Sequence, residues 1–165
     1  MVVAGEHHSA DPGRAREGVK AHFPDTTAFI KRYLNETGSD VVDSLFEEEG
    51  ERYVSGLCLL ETHSNIQRLN AVGGLLTGEQ VRMLHAAVAS DIESGRVTVV
   101  NATAADIEEA ARMLTRRHLT AVDAPQVAVA KSLGPEVVFV SSDLKLNRVA
   151  REEGLTVLDP ARRSG

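Results

Sequence analysis

Val137-Val138-Phe139-Val140-Ser141-Ser142-Asp143 follows a Gly134-Pro135 turn and precedes a helical pattern. Its first four residues are apolar and do not alternate with polar ones. Such a run reads as a strand covered on both faces, the habit of a parallel sheet. Ala121 to Leu133 carries a helical pattern before it. Leu144 to Glu153 carries another after it, closed by Gly154.

The same alternation continues outward from this strand. Val19–Pro24, Arg52–Ser55, Val97–Val100 and Thr156–Leu158 are further short β-rich runs. Between them, Val41, Val42, Leu45 and Phe46 share a helical face after a Ser39 cap, and Leu59, Leu60, Ile66, Leu69 and Val72 mark a longer helix. Thr77-Gly78-Glu79-Gln80 has capping-box spacing ahead of Val81, Leu84, Val88 and Ile92, with Gly95 as the stop. Thr103 to Asp106 has similar spacing and opens Ile107, Ala110, Ala111 and Leu114. Strands separated by helices make βαβ units. The expectation is a three-layer α/β/α sandwich with a five-stranded parallel sheet. Residues 19–160 form the single domain in this reading, with a flexible N-terminal arm at 1–18 and a C-terminal tail at 161–165. Gly73-Gly74 reads as a turn between helices.

Composition narrows the function classes. The chain has 165 residues, 42% apolar and 25% charged, with no Trp, so Leu, Val, Ile and Ala must build the core. Eighteen basic residues against 24 acidic give a net charge of −6, which argues against nucleic-acid binding through a broad basic face. The single cysteine, Cys58, sits in an apolar run, reads as a core thiol, and excludes an internal disulfide. No apolar run approaches membrane-spanning length and no signal-peptide core is visible, so the expectation is a cytoplasmic protein without a membrane partner. Neither GxGxxG nor GxxxxGK[ST] occurs, and no GxSxG elbow. His22, His63, His85 and His118 lack metal-ligand spacing and read as surface or half-buried residues.

The acids are more informative. Asp25 directly follows the first strand, and Asp143 follows Val137–Ser141. Asp123 opens the helix before that strand, and Glu61 lies early in the helix after the second. In an open parallel sheet, ligands bind beyond the carboxyl ends of the strands. All four carboxylates fall on that edge. Taken singly, the three aspartates are accounted for by helix capping and Glu61 by a solvated helix face. Spacing alone leaves both readings open.

Four segments together resemble the PIN-domain ribonucleases, and within them the VapC-like toxins of toxin–antitoxin pairs. They are Asp25-Thr26-Thr27-Ala28-Phe29-Ile30-Lys31-Arg32-Tyr33, Leu57 to Leu69 with Glu61, Leu119-Thr120-Ala121-Val122-Asp123-Ala124, and Phe139-Val140-Ser141-Ser142-Asp143. The resemblance spans about residues 19–160. It implies strand order 3-2-1-4-5, with Asp25 and Asp143 facing each other across the switch point. It also implies a homodimer, a divalent metal, RNA as substrate and a cognate antitoxin as partner. Three departures stand out. Pro24 replaces an apolar strand residue, Thr27 replaces Ser, and Ala124-Pro125-Gln126-Val127 replaces a more usual Ala-Leu-His-Leu.

With that resemblance, Asp25 and Asp143 would be direct ligands of Mg²⁺ or Mn²⁺, Asp123 a ligand directly or through water, and Glu61 one through water. These four would form the catalytic set. Thr27 and Ser142 would orient the carboxylates. Lys31, Arg32, Arg68, Arg116, Arg117, Lys145 and Arg148 could reach phosphates near the sheet edge, with surface solvation the competing reading for most of them, so the sequence assigns no RNA-binding residue. Setting four site acids aside leaves 20 acidic against 18 basic residues, so binding would rest on metal and local charge. Two other readings compete. One is a PIN-like module that holds RNA or protein without cutting. The other is a phospho-accepting receiver domain, which only Asp25 and Lys145 suit.

Overall fold

Strands β1 (Ala21–Pro24), β2 (Glu51–Ser55), β3 (Thr98–Val100), β4 (Val137–Val140) and β5 (Thr156–Leu158) form one all-parallel sheet of order β3-β2-β1-β4-β5. The computed structural model describes residues 14–72 and 74–162. Seven helices connect the strands: α1 (Thr26–Phe29), continued by a 3-10 turn at Ile30–Arg32, α2 (Ser39–Glu47), α3 (Gly56–Ala71), α4 (Gly78–Glu93), α5 (Ala104–Arg116), α6 (Asp123–Ser132) and α7 (Leu144–Glu152). Fold class and strand order agree with the sequence reading.

The strands separate the side chains into two cores by their two-residue period. Phe23, Tyr53, Val137 and Phe139 face Met113, Val127, Leu133 and Leu146 of α5, α6 and α7. The alternate residues serve the opposite layer. Val54 packs with Phe29, Cys58, Ile66 and Val88, and Val140 packs with Ala28 and Leu45. Phe23 and Phe139 stack at 6.0 Å across the β1–β4 seam. Burial on both faces explains why β4 carries no polar alternation.

Pro24 is accommodated by its position. Asp25 donates its N–H to the Val140 carbonyl at 2.9 Å. By the same period, the N–H that Pro24 lacks would point to β2, where the β1–β2 register ends at His22↔Arg52. No ladder bond is lost there.

Helix starts follow the sequence signals with one exception. Thr77 with Gln80 and Thr103 with Asp106 both close capping boxes. Ser39, expected as the cap of α2, is instead its first residue. Gly38 caps the helix with φ 91°, and the Ser39 hydroxyl donates back to the Leu34 carbonyl. A Cβ at Gly38 would lie 2.4 Å from the Pro160 carbonyl oxygen, so the close approach of the C-terminal segment excludes a side chain there.

Of the arm expected at 1–18, residues 1–13 lie outside the described residues. Residues 14–18 run along the body: Ala15 donates its N–H to Leu133, and Arg16 pairs with Glu51. Residues 163–165 of the expected tail, and Gly73 of the expected turn, are likewise outside the described residues.

Candidate functional site

Strands β1 to β4 each hand the chain to a helix at one edge of the parallel sheet. At all four of these junctions a side chain caps the helix, Thr103 doing so for α5. Asp25 caps α1, accepting from the Ala28 N–H at 3.0 Å. Ser55 caps α3, accepting from the Cys58 N–H. Asp143 caps α7, its Oδ1 accepting from the N–H groups of Lys145 and Leu146 at 2.8 and 2.9 Å. β1 and β4 are neighbours, so Asp25 and Asp143 leave adjacent strands side by side. The capping reading of these aspartates is correct and does not compete with a site. Capping occupies one oxygen of each carboxylate and aims the group beyond the sheet edge.

The groove at that edge has a volume of about 830 Å³, and Asp25, Glu61, Asp123 and Asp143 all line it. The structure brings the four acids to one cavity. Asp25 lies at its floor, 2% exposed. Its Oδ1 accepts from the Thr27 hydroxyl at 2.7 Å and its Oδ2 from the Ser141 hydroxyl at 2.7 Å. Burial pushes the Asp25 carboxyl up to about 6; the donors from Ser141, Thr27 and Ala28 pull it down, and the nearby charge of Asp143 pushes it up again. Glu61 Oε2 accepts from the Thr26 hydroxyl at 2.6 Å and the Gln126 amide at 3.2 Å. Asp123 Oδ2 accepts from the Thr120 hydroxyl at 2.6 Å, while its own N–H donates to that hydroxyl.

The Thr27 hydroxyl thus holds one Asp25 oxygen. Its oxygen also accepts from the Ser142 N–H at 2.9 Å, tying α1 to the β4 exit. Ser142 departs from expectation. It contributes that backbone N–H, and its own hydroxyl is buried without a partner among the described residues. The second hydroxyl that orients Asp25 is that of Ser141, which also accepts from the Asp143 N–H at 3.0 Å and so touches both aspartates. Strand parity is the reason: the residue directly after β4 lies level with Asp25, and its successor turns away. Thr26 and Gln126 were also missed. Thr26 had no signal beyond adjacency to Asp25. Gln126 had one, standing three residues after Asp123 on the same helix.

The donor set fits a hard divalent cation in chemistry. It is wholly oxygen. Asp143 Oδ2, Asp123 Oδ1 and Glu61 Oε1 receive no hydrogen bond among the described residues. None of the four acids has a Lys, Arg or His nitrogen within 4.0 Å among the described residues, while other acids in the chain do. As the side chains stand, no three described His, Cys, Asp or Glu residues close into a set that holds one ion.

The seven candidate cations separate clearly. Lys31 and Arg68 line the groove. Arg32 is held by Asp43 and Asp91. Arg116 and Arg117 pair with Glu109, Glu152 and Glu153 at the far ends of α5 and α7, the opposite edge of the sheet. Lys145 and Arg148 stand exposed on α7. Cys58 is fully buried, and burial pushes its thiol up, as expected of a core residue. His63 and His85 are half-buried but meet, Nδ1 to Nδ1 at 2.6 Å between α3 and α4, a pairing their sequence separation concealed. No described helix is long and apolar enough to cross a membrane.

A family model for the PIN domain matches residues 22–152. Among solved structures, FitAcB from Neisseria gonorrhoeae is similar at 18% identity and a TM-score of 0.63, over 86% of this chain and 99% of that one. VapC20 of Mycobacterium tuberculosis, a sarcin–ricin-loop-cleaving toxin, is similar at 22% identity and a TM-score of 0.59, over 78% and 94%. DNA-bound VapBC from Salmonella typhimurium is similar at 15% identity and a TM-score of 0.59, over 85% and 98%. These are likenesses of fold. No curated protein sequence gives a significant match.

Proposed function

The chain belongs to the PIN-domain family, and we propose that it is a metal-dependent endoribonuclease that cleaves RNA phosphodiester bonds, acting as the toxin of a toxin–antitoxin pair. PIN domains are typically nucleases. The observation that carries the reading is the convergence of Asp25, Glu61, Asp123 and Asp143 on one groove with no cation paired to any of them among the described residues. The toxin role rests on the fold likeness to toxin–antitoxin proteins. Partners on this reading are RNA, a second copy of the chain and an antitoxin protein.

Asp25, Asp143 and Asp123 would hold Mg²⁺ or Mn²⁺, with Glu61 acting through water. The ion would supply charge stabilisation at the phosphoryl group and activation of the attacking water. The chain's own residues prepare for this. Ser141 and Thr27 fix both Asp25 oxygens, so the carboxylate needs no reorganisation when charge arrives. Thr26 and Gln126 hold one Glu61 oxygen and leave the other to accept a proton from water. The low dielectric around Asp25 raises the penalty of its uncompensated charge, which favours a cation beside it.

The test is cleavage of RNA with Mn²⁺ present and absent. Asp25→Asn and Asp143→Asn are expected to abolish it; full activity in both variants overturns the site. A second reading, a PIN-like module that holds RNA or protein without cutting, is favoured by the spacing of the carboxylates, which close no three-ligand set. Calorimetric titration with Mn²⁺ separates the two. A nuclease gives binding heat that Asp25→Asn removes, and a module without a metal site gives none.

A further inference from the structure

The groove holds one buried cation, Lys31, that none of the four clustered acids pairs with. Thr27, Ile30, Lys31 and Leu34 line it from α1, the following 3-10 turn and the residues just after it. Their spacing of three, four and seven residues places them on a single face. Thr27 is one of the two residues whose hydroxyls grip Asp25, and Lys31 follows four residues later and lines the same groove. The Lys31 side chain is 9% exposed, whereas those of Arg32, Lys131 and Arg117 are 22%, 29% and 32% exposed and bound by two or more carboxylates each.

An ammonium has three donors. Among the described residues, Lys31 uses one, to Glu36 Oε2 at 3.2 Å. A lysine this buried is ordinarily satisfied more fully. Its partner is set apart as well. Glu36 is 45% exposed at the groove rim, in a turn built independently of Lys31: the Glu36 N–H donates to the Ser39 hydroxyl, and Gly38 is clamped against Pro160. The ion pair is therefore screened on one side and incomplete on the other, so an incoming anion with two or more oxygens competes well for the ammonium.

We propose that Lys31 binds a non-bridging oxygen of the RNA phosphate, with Glu36 as the counter-ion that the phosphate displaces. The assignment rests on the nuclease reading and deepens it. The step is an exchange of ion pairs, with no bond made or broken. Lys31 serves phosphate binding and Glu36 opposes it, so the two halves of one salt bridge act in opposite directions.

Steady-state cleavage of a random-sequence single-stranded RNA pool with Mn²⁺ tests this. Lys31→Ala is expected to lower kcat/KM on the order of tenfold to a hundredfold. Lys31→Arg recovers most of the loss. Glu36→Gln raises kcat/KM several-fold through a lower KM, and has no effect when combined with Lys31→Ala. Lys31→Met, which keeps the aliphatic stem in place, reproduces the loss if the alanine variant is poorly folded. Mn²⁺ binding heat is unchanged in all of them. If the pair merely ties the 35–38 turn, Lys31→Met and Glu36→Gln both lower activity, with equal falls in Tm; that result, or no change in Lys31→Met, overturns the assignment. Absence of Mn²⁺-dependent cleavage by the unsubstituted protein is the failure of the nuclease reading itself, and the assignment falls with it.

Discussion

The two edges of the sheet treat carboxylates in opposite ways. At the edge where strands begin and helices α5 to α7 end, acids are matched to cations. Lys131 bridges Glu109 at 3.0 Å and Glu153 at 2.9 Å, Arg116 and Arg117 approach Glu153, and Arg16 pairs with Glu51. The Lys131 hydrogen bond holds the Glu109 carboxyl below its usual range. Burial raises Glu153, but Lys131, Arg117 and Arg116 more than offset it. At the other edge, Asp25, Glu61, Asp123 and Asp143 are held by hydroxyls, amides and backbone N–H groups alone, and Asp25 titrates high. Neutral donors orient a carboxylate without neutralising it. One edge is built for stability, and the other keeps charge in reserve.

The hardest blow to this contrast is at Asp25. Asp25→Asn is expected to lower Mn²⁺-dependent RNA cleavage on the order of a thousandfold or more. The same substitution is expected to stabilise the fold. An Asp carboxyl raised to about 6 binds its proton more tightly folded than unfolded, so stability falls as pH rises from about 4 to 6 and the penalty persists above. Removing the charge is expected to raise stability by about 2 kcal/mol at pH 7.5, with no gain at pH 3.5. Urea denaturation at the two pH values measures it. A destabilised Asp25→Asn at pH 7.5 breaks the contrast.

Next in size is the effect of the ion. Saturating Mn²⁺ at a hundred times its Kd is expected to stabilise the unsubstituted protein by about 2.7 kcal/mol and Asp25→Asn far less, read as a shift in Tm. At the opposite edge, Lys131→Met is expected to cost about 1 kcal/mol, since its partners are partly screened and Arg116 and Arg117 remain, and to leave RNA cleavage unchanged. The smallest effect is Gln126→Leu. It leaves Glu61 with Thr26 alone, and a several-fold loss of kcat with unchanged Mn²⁺ affinity is expected from cleavage assays and calorimetry.

Much of this edge was legible in the chain. Asp25 and Asp143 were legible as acids directly after apolar β-rich runs, and the cap each provides needs only a short acceptor next to a helix start, which is a local requirement. The capping boxes at Thr77 and Thr103 were legible for the same reason. Ser141 was not, because its role depends on level with Asp25, 116 residues away. Nor was the choice of Lys31 and Arg68 over five other cations, which depends on which end of a helix lies at which edge.

By itself the sequence determined the alternation of strands and helices, the burial of β4 on both faces and two acids at strand exits with two more on nearby helices, since periodicity and capping are properties of neighbouring residues. Only the tertiary structure decided that Ser141 and not Ser142 grips Asp25, that Glu61 meets Gln126, and that one lysine among many cations is buried beside them. Each of these depends on register between segments distant in the chain. Register is set by the packing of whole layers and leaves no mark on any short stretch of residues.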